Sequence, residues 1–163
     1  MTVHGFPGYA VGLPLPTLTQ VLNGEKPANT SAIRVDGTPG KEWRYSGGGY
    51  VVMQQLVIDA TGQPFARYMD ETVLKPLGMV SSTYSQPLPE QMAVRAAKGY
   101  GGIFGQSVNE GWHVYPEMAP AGLWTTAGDL ARFAIGIQSS VAGHSNRVIS
   151  QSLTRQMLTV EQM

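Results

Sequence analysis

The sequence predicts an α+β fold that is mostly helical, carries a few short strands and forms a single unit over residues 1–163. Five segments place apolar residues at helical spacing, and the extended pieces between them are only three to five residues long. No linker, internal repeat or low-complexity tract divides the chain. Its 20 glycines and 11 prolines predict many turns, but their share stays below the roughly 25–30% that is typical of disordered sequences.

The first two predicted helices lie in the N-terminal half. Thr17 offers an N-cap oxygen for a short helix over residues 18–22, which Asn23-Gly24 ends. The longest clear pattern covers residues 51–60, and Gly62 suits its C-terminal end. Its apolar positions are Tyr50, Met53, Val57 and Ala60, with Val52 and Leu56 beside them. Because this apolar face is wide, we expect the helix to be largely buried.

Three further helices are predicted from caps and apolar stripes. Pro64 suits the first turn of one helix, and Pro76 ends it. Thr126 caps the next, where Asp129 three residues later resembles a capping box, and Ser150 begins the last. Their apolar faces are Phe65, Tyr68, Met69 and Val73, then Leu130, Phe133, Ala134 and Ile137, then Leu153, Met157 and Val160. We expect the stripe that contains Leu130 to pack in a core.

The strands are predicted to be short. Residues 32–35 and 42–46 read as extended pieces, and residues 113–115 as a brief strand. Residues 80–117 otherwise show no sustained period, and the glycine-rich residues 99–102 within them read as a loop.

Composition excludes several classes of function. The 11 Lys and Arg residues balance the 11 Asp and Glu residues, so we expect no nucleic-acid partner and no anionic membrane partner. The chain has no cysteine, and His4, His113 and His144 are scattered, so neither a metal nor a cofactor is expected. No run approaches the roughly 18 apolar residues of a membrane span. Residues 1–16 show no signal-peptide pattern.

The most informative segment is Tyr45-Ser46-Gly47-Gly48-Gly49-Tyr50, which stands at the head of the longest helix. It resembles the second motif of the penicillin-recognising serine hydrolases, the family of class C β-lactamases, D-alanyl-D-alanine carboxypeptidases and related esterases. Three more stretches resemble that family in the same order: Pro39-Gly40 with Trp43-Arg44, Pro64-Phe65-Ala66 through Pro76-Leu77-Gly78-Met79, and Gly122-Leu123-Trp124-Thr125-Thr126 with Asp129-Leu130-Ala131-Arg132-Phe133. The resemblance implies the mostly helical portion of a β-lactamase/transpeptidase-like fold.

Two motifs of that family are missing from the 163 residues. The acyl-accepting serine belongs to Ser-x-x-Lys, but the four lysines follow Asn23, Thr38, Thr72 and Arg95 by three positions. The closing motif, Lys or His followed by a small residue and glycine, is also absent, and Gly47 stands where the second motif usually has asparagine. We therefore expect an internal fragment of such an enzyme, a partial β-lactamase-related domain. For the family, a periplasmic or secreted location is plausible.

The resemblance assigns Tyr45 the role of proton shuttle. The side chain of a tyrosine has a pKa of roughly 10, so it acts as a base near neutrality only beside cations. The family supplies these from its first and third motifs, whereas strand alternation would point Arg44 away from Tyr45. We therefore predict that this chain alone does not complete the acyl-transfer cycle on a β-lactam, a D-Ala-D-Ala peptide or an ester.

Other candidate residues have two interpretations each. Ser46 is either an N-cap or part of the substrate site, and Gly47 either permits the turn into the helix or lets substrate approach the backbone. Trp124, with Trp112 and Tyr115, either lines an acyl-side pocket or packs as ordinary aromatic residues. The alternative function is a non-catalytic helical module that binds ligands or self-associates through an exposed apolar face.

Overall fold

The computed structural model describes residues 5–101, 105–108 and 111–160. Within these ranges, the mostly helical α+β fold is confirmed: seven α-helices accompany one antiparallel two-stranded sheet. The helices are α1 (Leu18–Asn23), α2 (Gly47–Thr61), α3 (Phe65–Met69), α4 (Glu90–Ala93), α5 (Met118–Ala121), α6 (Ala127–Val141) and α7 (Gln151–Leu158). A π-helical turn, Asp70–Leu74, continues α3, and the strands are β1 (Tyr100–Gly101) and β2 (Gln106–Ser107).

The predicted caps begin the main helices. The side chains of Thr17, Ser46, Thr126 and Ser150 each accept a hydrogen bond from the backbone N–H three residues later. In α1 the side-chain oxygen of Gln20 also accepts a hydrogen bond from the backbone N–H of Thr17, which completes a capping box. Such a cap satisfies an N–H group that the helix itself leaves unpaired. The sequence therefore predicted the starts of α1, α6 and α7 correctly. α2 begins at Gly47, four residues before the predicted start at residue 51, and Ser46 as its N-cap was one of two interpretations.

The core of the N-terminal half joins α1 to the beginning of α2. Val21 and Val51 are fully buried and contact Ile33, which lies on the segment between the two helices. The backbone N–H of Ile33 donates to the carbonyl of Leu22 at 3.0 Å. This apolar contact fixes the direction in which the chain enters α2, and thereby the position of the residues at its head.

Two predictions about burial are wrong. In α2, the apolar side chains of Tyr50, Val52, Met53 and Leu56 are all exposed, and Leu56 is 64% exposed. In α6, the stripe that contains Leu130 and Phe133 is exposed as well. The helical period correctly identified which faces are apolar, but no element among the described residues packs over them. Burial of α2 is confined to its first turns and to Gln54.

The predicted strands are largely wrong as well. Residues 32–35 and 42–46 run without a ladder partner among the described residues, and a strand needs such a partner to satisfy its backbone groups. Residues 113–115 contribute a single bridge, from Val114 to Tyr9. The segment 99–102, predicted as a loop, contains β1, which pairs with β2, while Gly102 lies outside the described residues.

Candidate functional site

The head of α2 presents Tyr45 and Ser46 side by side. Ser46 has an extended backbone, and its Oγ accepts the N–H of Gly49 at 3.0 Å, so this hydroxyl caps the helix. Tyr45, the residue before the cap, is 53% exposed. The structure thus holds the tyrosine on a fixed helix end while leaving its ring half open to a ligand. The predicted role of Ser46 as an N-cap is present, whereas its contact with substrate stays a prediction.

The glycines after Ser46 form the first turn of α2, and Gly47 and Gly48 are buried. A Cβ atom on Gly48 would lie 3.0 Å from Cγ2 of Ile33, closer than such atoms normally pack. Gly48 therefore allows the head of α2 to approach the core described above. This contact favours packing as the reason for glycine at position 48, while the role of Gly47 toward substrate stays a prediction.

The nearest cation in sequence is engaged elsewhere. The guanidinium of Arg44 forms an ion pair with the carboxylate of Asp36. An ion pair of this kind partly neutralises the positive charge that Arg44 could offer to a neighbouring phenol. The structure therefore places Tyr45, Ser46 and Gly47 together at one helix end. Arg44, beside them in sequence, forms an ion pair with Asp36.

Trp124 belongs to a separate aromatic cluster. Its ring contacts that of Trp112 edge to face, with centroids 5.6 Å apart, and its backbone forms a bridge to Thr83. Trp112, Tyr115 and Trp124, together with His113 and Lys98, line a cavity of about 360 Å³. The three aromatic residues that the sequence suggested for a pocket thus line one cavity, and its use as an acyl-side pocket stays a prediction.

Two buried or half-buried glutamines hold the segment between this cavity and α2. The amide of Gln54 donates to the carbonyl of Pro116 at 3.0 Å and accepts the N–H of Ala119 at 2.9 Å. Gln86 donates to the carbonyl of Gly122 at 2.9 Å and accepts the N–H of Tyr115 at 3.2 Å. Each glutamine side chain therefore forms hydrogen bonds with two backbone groups within residues 115–122. Sequence reasoning missed both, because no local signal marks a partner more than 25 residues away.

Glu117 lies inside the segment that the glutamines hold. It is 0% exposed, and neither carboxylate oxygen has a hydrogen-bond partner among the described residues. Burial raises the pKa of Glu117, and the proximity of its own backbone N–H offsets this only in part. The pKa of Tyr115 is also raised, mainly by burial and further by the Glu117 charge. The structure therefore favours the protonated form of Glu117, a feature that the sequence did not indicate.

The carboxylate of Asp129 has partners other than the predicted one. The sequence predicted a capping box, and only its first half is present: Thr126 accepts the N–H of Asp129 at 3.2 Å. The carboxylate is 1% exposed and accepts the N–H of Ser81 at 2.8 Å, the hydroxyl of Ser82 at 2.7 Å and a guanidinium N–H of Arg132 at 2.7 Å. Burial alone would raise the pKa of Asp129, but these donors outweigh burial and lower it.

The described residues contain neither a cluster of metal ligands nor a membrane-spanning helix. Across residues 5–101, 105–108 and 111–160, no three side chains of His, Asp or Glu lie close enough to hold a metal ion. None of the helices in those ranges combines the length and the apolar character needed to cross a bilayer. His4 lies outside the described residues.

Comparison with known proteins identifies the family. The family model described as Beta-lactamase matches residues 5–163. The chain is similar to a putative D-alanyl-D-alanine carboxypeptidase of Escherichia coli strain K12, with 28% identity over 112 residues that make up 66% of this chain and 24% of that protein. A namesake from Escherichia coli O157:H7 is 30% identical over 112 residues, 57% of this chain and 26% of that protein. The chain thus spans about a quarter of the length of the curated relatives it matches.

Solved structures share the fold. A penicillin-binding protein homologue from Pyrococcus abyssi, described as octameric, has a TM-score of 0.64 at 22% identity and covers 90% of this chain and 31% of its own. The D-amino acid amidase from Ochrobactrum anthropi SV3 in complex with D-phenylalanine has a TM-score of 0.64 at 18% identity, over 92% of this chain and 44% of its own. The fold, the family-model match and the carboxypeptidase relatives together define a penicillin-recognising serine hydrolase type of domain. The chain belongs to the beta-lactamase family.

Proposed function

We propose that this chain forms the tyrosine-bearing wall of an acyl-transfer site in a serine hydrolase, with the nucleophile and its lysine supplied from outside these 163 residues. The observation that carries the proposal is the half-exposed Tyr45 on a helix end that Ser46 caps and the core fixes. In this role the phenolic oxygen accepts the proton of the attacking serine and returns it to the leaving group. The chain by itself then lacks activity.

The absence of a Ser-x-x-Lys motif from the sequence supports the second half of the proposal. A serine must be activated by a neighbouring base or cation before it attacks an acyl group. None of the four lysines follows a serine by three positions, and the charge of Arg44 is engaged by Asp36. The sequence therefore lacks the serine and lysine pair that the proposed reaction requires.

For the substrate class, we propose a β-lactam, a D-Ala-D-Ala peptide or a related ester or amide. The support comes from the names of the relatives, which include D-alanyl-D-alanine carboxypeptidases and a D-amino acid amidase. The aromatic cavity beside Trp112 and Trp124 has a volume of about 360 Å³, within the usual range for small-molecule sites. It is our choice for the acyl side of such a substrate.

The first experiment measures turnover and labelling of the 163-residue chain. The chain should hydrolyse neither a chromogenic cephalosporin nor a nitrophenyl ester, and a fluorophosphonate probe should label none of its serines. An intact carboxypeptidase of the family, treated in the same way, provides the positive control. Stoichiometric labelling of a single serine in this chain would contradict the proposal.

A second experiment tests the role of Tyr45 directly. When the chain is joined to a segment that carries Ser-x-x-Lys and the closing motif, Tyr45→Phe should lower kcat by about 10²–10⁴-fold, because the proton acceptor is lost. Tyr50→Phe removes the same hydroxyl from an exposed ring on the same helix and is the matched control. Equal losses in the two variants would exclude a specific role for Tyr45.

Exposed apolar faces favour a second property, self-association of the chain when it is studied alone. The exposed side chains of Val52, Met53 and Leu56 on α2, and of Leu130 and Phe133 on α6, leave apolar surface that water solvates poorly. We propose that two copies of the chain associate through these faces, so that each copy covers the exposed apolar side chains of the other. Sedimentation equilibrium should show a dimer that Leu56→Glu weakens, whereas a monomer at all concentrations would refute this proposal.

A further inference from the structure

A groove on the side of α6 is not explained by the proposed acyl-transfer site. It has a volume of about 450 Å³ and lies between the turn after the π-helix, one face of α6 and the loop that follows α6. Its apolar floor is formed by Pro76, Leu77 and Ile135. Its polar lining consists of Arg132, Ser139, His144, Ser145 and Arg147. None of these residues lies at the head of α2 or lines the aromatic cavity.

The charge of the groove is one-sided. Two arginines and a histidine line it, and none of the described carboxylates does. Between residues 127 and 160 the chain has three arginines and a single acid, Asp129, although its overall formal charge is zero. Asp129 is buried and takes one N–H of Arg132, which leaves the other donors of that guanidinium available. Arg147 forms no ion pair with any described carboxylate.

The loop that carries His144 and Arg147 is held at both ends. At its beginning, the N–H of His144 donates to the carbonyl of Ser139 at 2.9 Å. At its end, the buried hydroxyl of Ser140 donates to the carbonyl of Ile149 at 2.8 Å and shares a hydrogen bond of 2.7 Å with the hydroxyl of Thr154. The backbone of this loop is therefore held in place, which reduces the loop entropy that is lost when a ligand binds.

The floor of the groove is equally constrained. A Cβ atom on Gly136 would lie 2.6 Å from Cδ2 of Leu77. Glycine at this position therefore lets the side chain of Leu77 lie directly against α6, and it gives the groove an apolar base beneath its basic lining. A ligand that fills this space needs an apolar body and an anionic end.

We propose that this groove binds a small organic phosphate monoester, with the phosphate between Arg132, His144 and Arg147 and the organic part over Leu77 and Ile135. The planar guanidinium fork matches the oxygens of a phosphate, and charge-assisted hydrogen bonds are the strong ones. The hydroxyls of Ser139 and Ser145 add neutral donors. Such a ligand is either a free metabolite or the headgroup of a phospholipid, since both present the same chemistry.

Calorimetric titration with phenyl phosphate tests the proposal on the 163-residue chain. We expect saturable binding with a Kd between about 10 μM and 1 mM, tighter than for inorganic phosphate and absent for benzyl alcohol. Arg147→Gln should weaken binding about tenfold or more, because a charge-assisted contact is lost. Arg155→Gln is the matched control, since Arg155 is an exposed arginine of the same basic region outside the groove, and it should change the Kd less than twofold.

A second measurement locates the ligand without relying on one variant. The imidazole NMR signals of His144 should shift on addition of phenyl phosphate, whereas those of His113 should not. His144→Gln should also weaken binding if Arg147→Gln proves unstable. Vesicles that contain phosphatidic acid distinguish the two sources of the ligand. If the chain binds the vesicles and phenyl phosphate displaces it, the ligand is a lipid headgroup. If the chain does not bind the vesicles, the ligand is a free phosphate ester. No saturation up to about 10 mM, or equal losses in Arg147→Gln and Arg155→Gln, would overturn the proposal.

Discussion

Two carboxylates in this chain are almost completely buried and have opposite surroundings. Asp129 accepts three hydrogen bonds, one of them from a guanidinium, whereas Glu117 accepts none among the described residues. The pKa of Asp129 is accordingly lowered and that of Glu117 raised, each relative to its ordinary value. The comparison teaches that burial alone does not decide the charge of a group: the donors around it do.

The opposite shifts have opposite consequences for stability. Asp129 contributes stability that is present above its unfolded pKa of 3.8 and is lost as the pH falls through its lower folded value. Glu117 binds its proton more tightly in the folded state, so its contribution is lost as the pH rises above 4.5, the ordinary value, toward the raised folded one. Loss of the Asp129 charge therefore lowers the stability of the fold in acid, and ionisation of Glu117 lowers it at higher pH.

Removing the well-partnered carboxylate should have the largest effect. Asp129→Ala leaves the buried hydroxyl of Ser82 and the N–H of Ser81 without their acceptor, so we expect a loss of about 3 kcal/mol in the free energy of unfolding. Urea titration followed by circular dichroism measures it. Asp59→Ala, which removes an exposed carboxylate on α2, should cost less than about 0.5 kcal/mol. A similar small cost for Asp129→Ala would contradict the proposed role of its donors.

Opening the segment around Glu117 should have the next largest effect. Gln54→Leu removes the amide that joins α2 to Pro116 and Ala119, and we expect a loss of about 2 kcal/mol because two buried backbone groups become unpaired. The same denaturant titration on Gln55→Leu gives the control, since the side chain of Gln55 donates to Asp59 within its own helix and to no other described residue. If both variants lose equally, Gln54 is not the link between the two segments.

Neutralising the unpartnered carboxylate should stabilise the protein. Glu117→Gln keeps the shape but cannot ionise, so at pH 8 we expect a gain of about 1 kcal/mol over the wild type that disappears as the pH falls toward 4.5. Unfolding curves at several pH values measure this difference. Glu90→Gln, at an exposed position, should show no such trend. A constant difference between Glu117→Gln and the wild type at every pH would show that Glu117 does not titrate with a raised pKa.

Weakening only one donor of Asp129 should have the smallest effect. The side chain of Arg132 is 53% exposed, so Arg132→Gln should cost about 0.5 kcal/mol because exposed partners lose little on separation. The acid limb of the stability curve should move slightly to higher pH, since the pKa of Asp129 loses one of its lowering contacts. Scans at low pH would detect the shift, and an unmoved acid limb would mean that Ser81 and Ser82 suffice.

The starts of α1, α6 and α7 could be predicted from sequence because caps are local. Thr17, Thr126 and Ser150 each accept the N–H three residues later, within reach of a sequence pattern. Ser46 does the same for α2, but the three glycines after it have low helix propensity, so the pattern indicated a start only at residue 51. The partners of Gln54 are 62 and 65 residues distant, and the carboxylate of Glu117 has no hydrogen-bond partner among the described residues. Periodicity likewise identified the apolar face of α2 but not whether anything covers it. Of the candidate site, the sequence located Tyr45, Ser46 and Gly47 at one helix end, while the surroundings of Glu117 and Asp129 required tertiary structure.

The edge-to-face pair of Trp112 and Trp124 gives the chain an optical reporter. These two indoles are in contact with each other. The third, Trp43, is 72% exposed and precedes Tyr45 by two residues. Acrylamide should therefore quench a red-shifted emission from Trp43 and leave a blue-shifted component from the pair. Tryptophan fluorescence can thus monitor the head of α2 and the aromatic cavity separately in one sample.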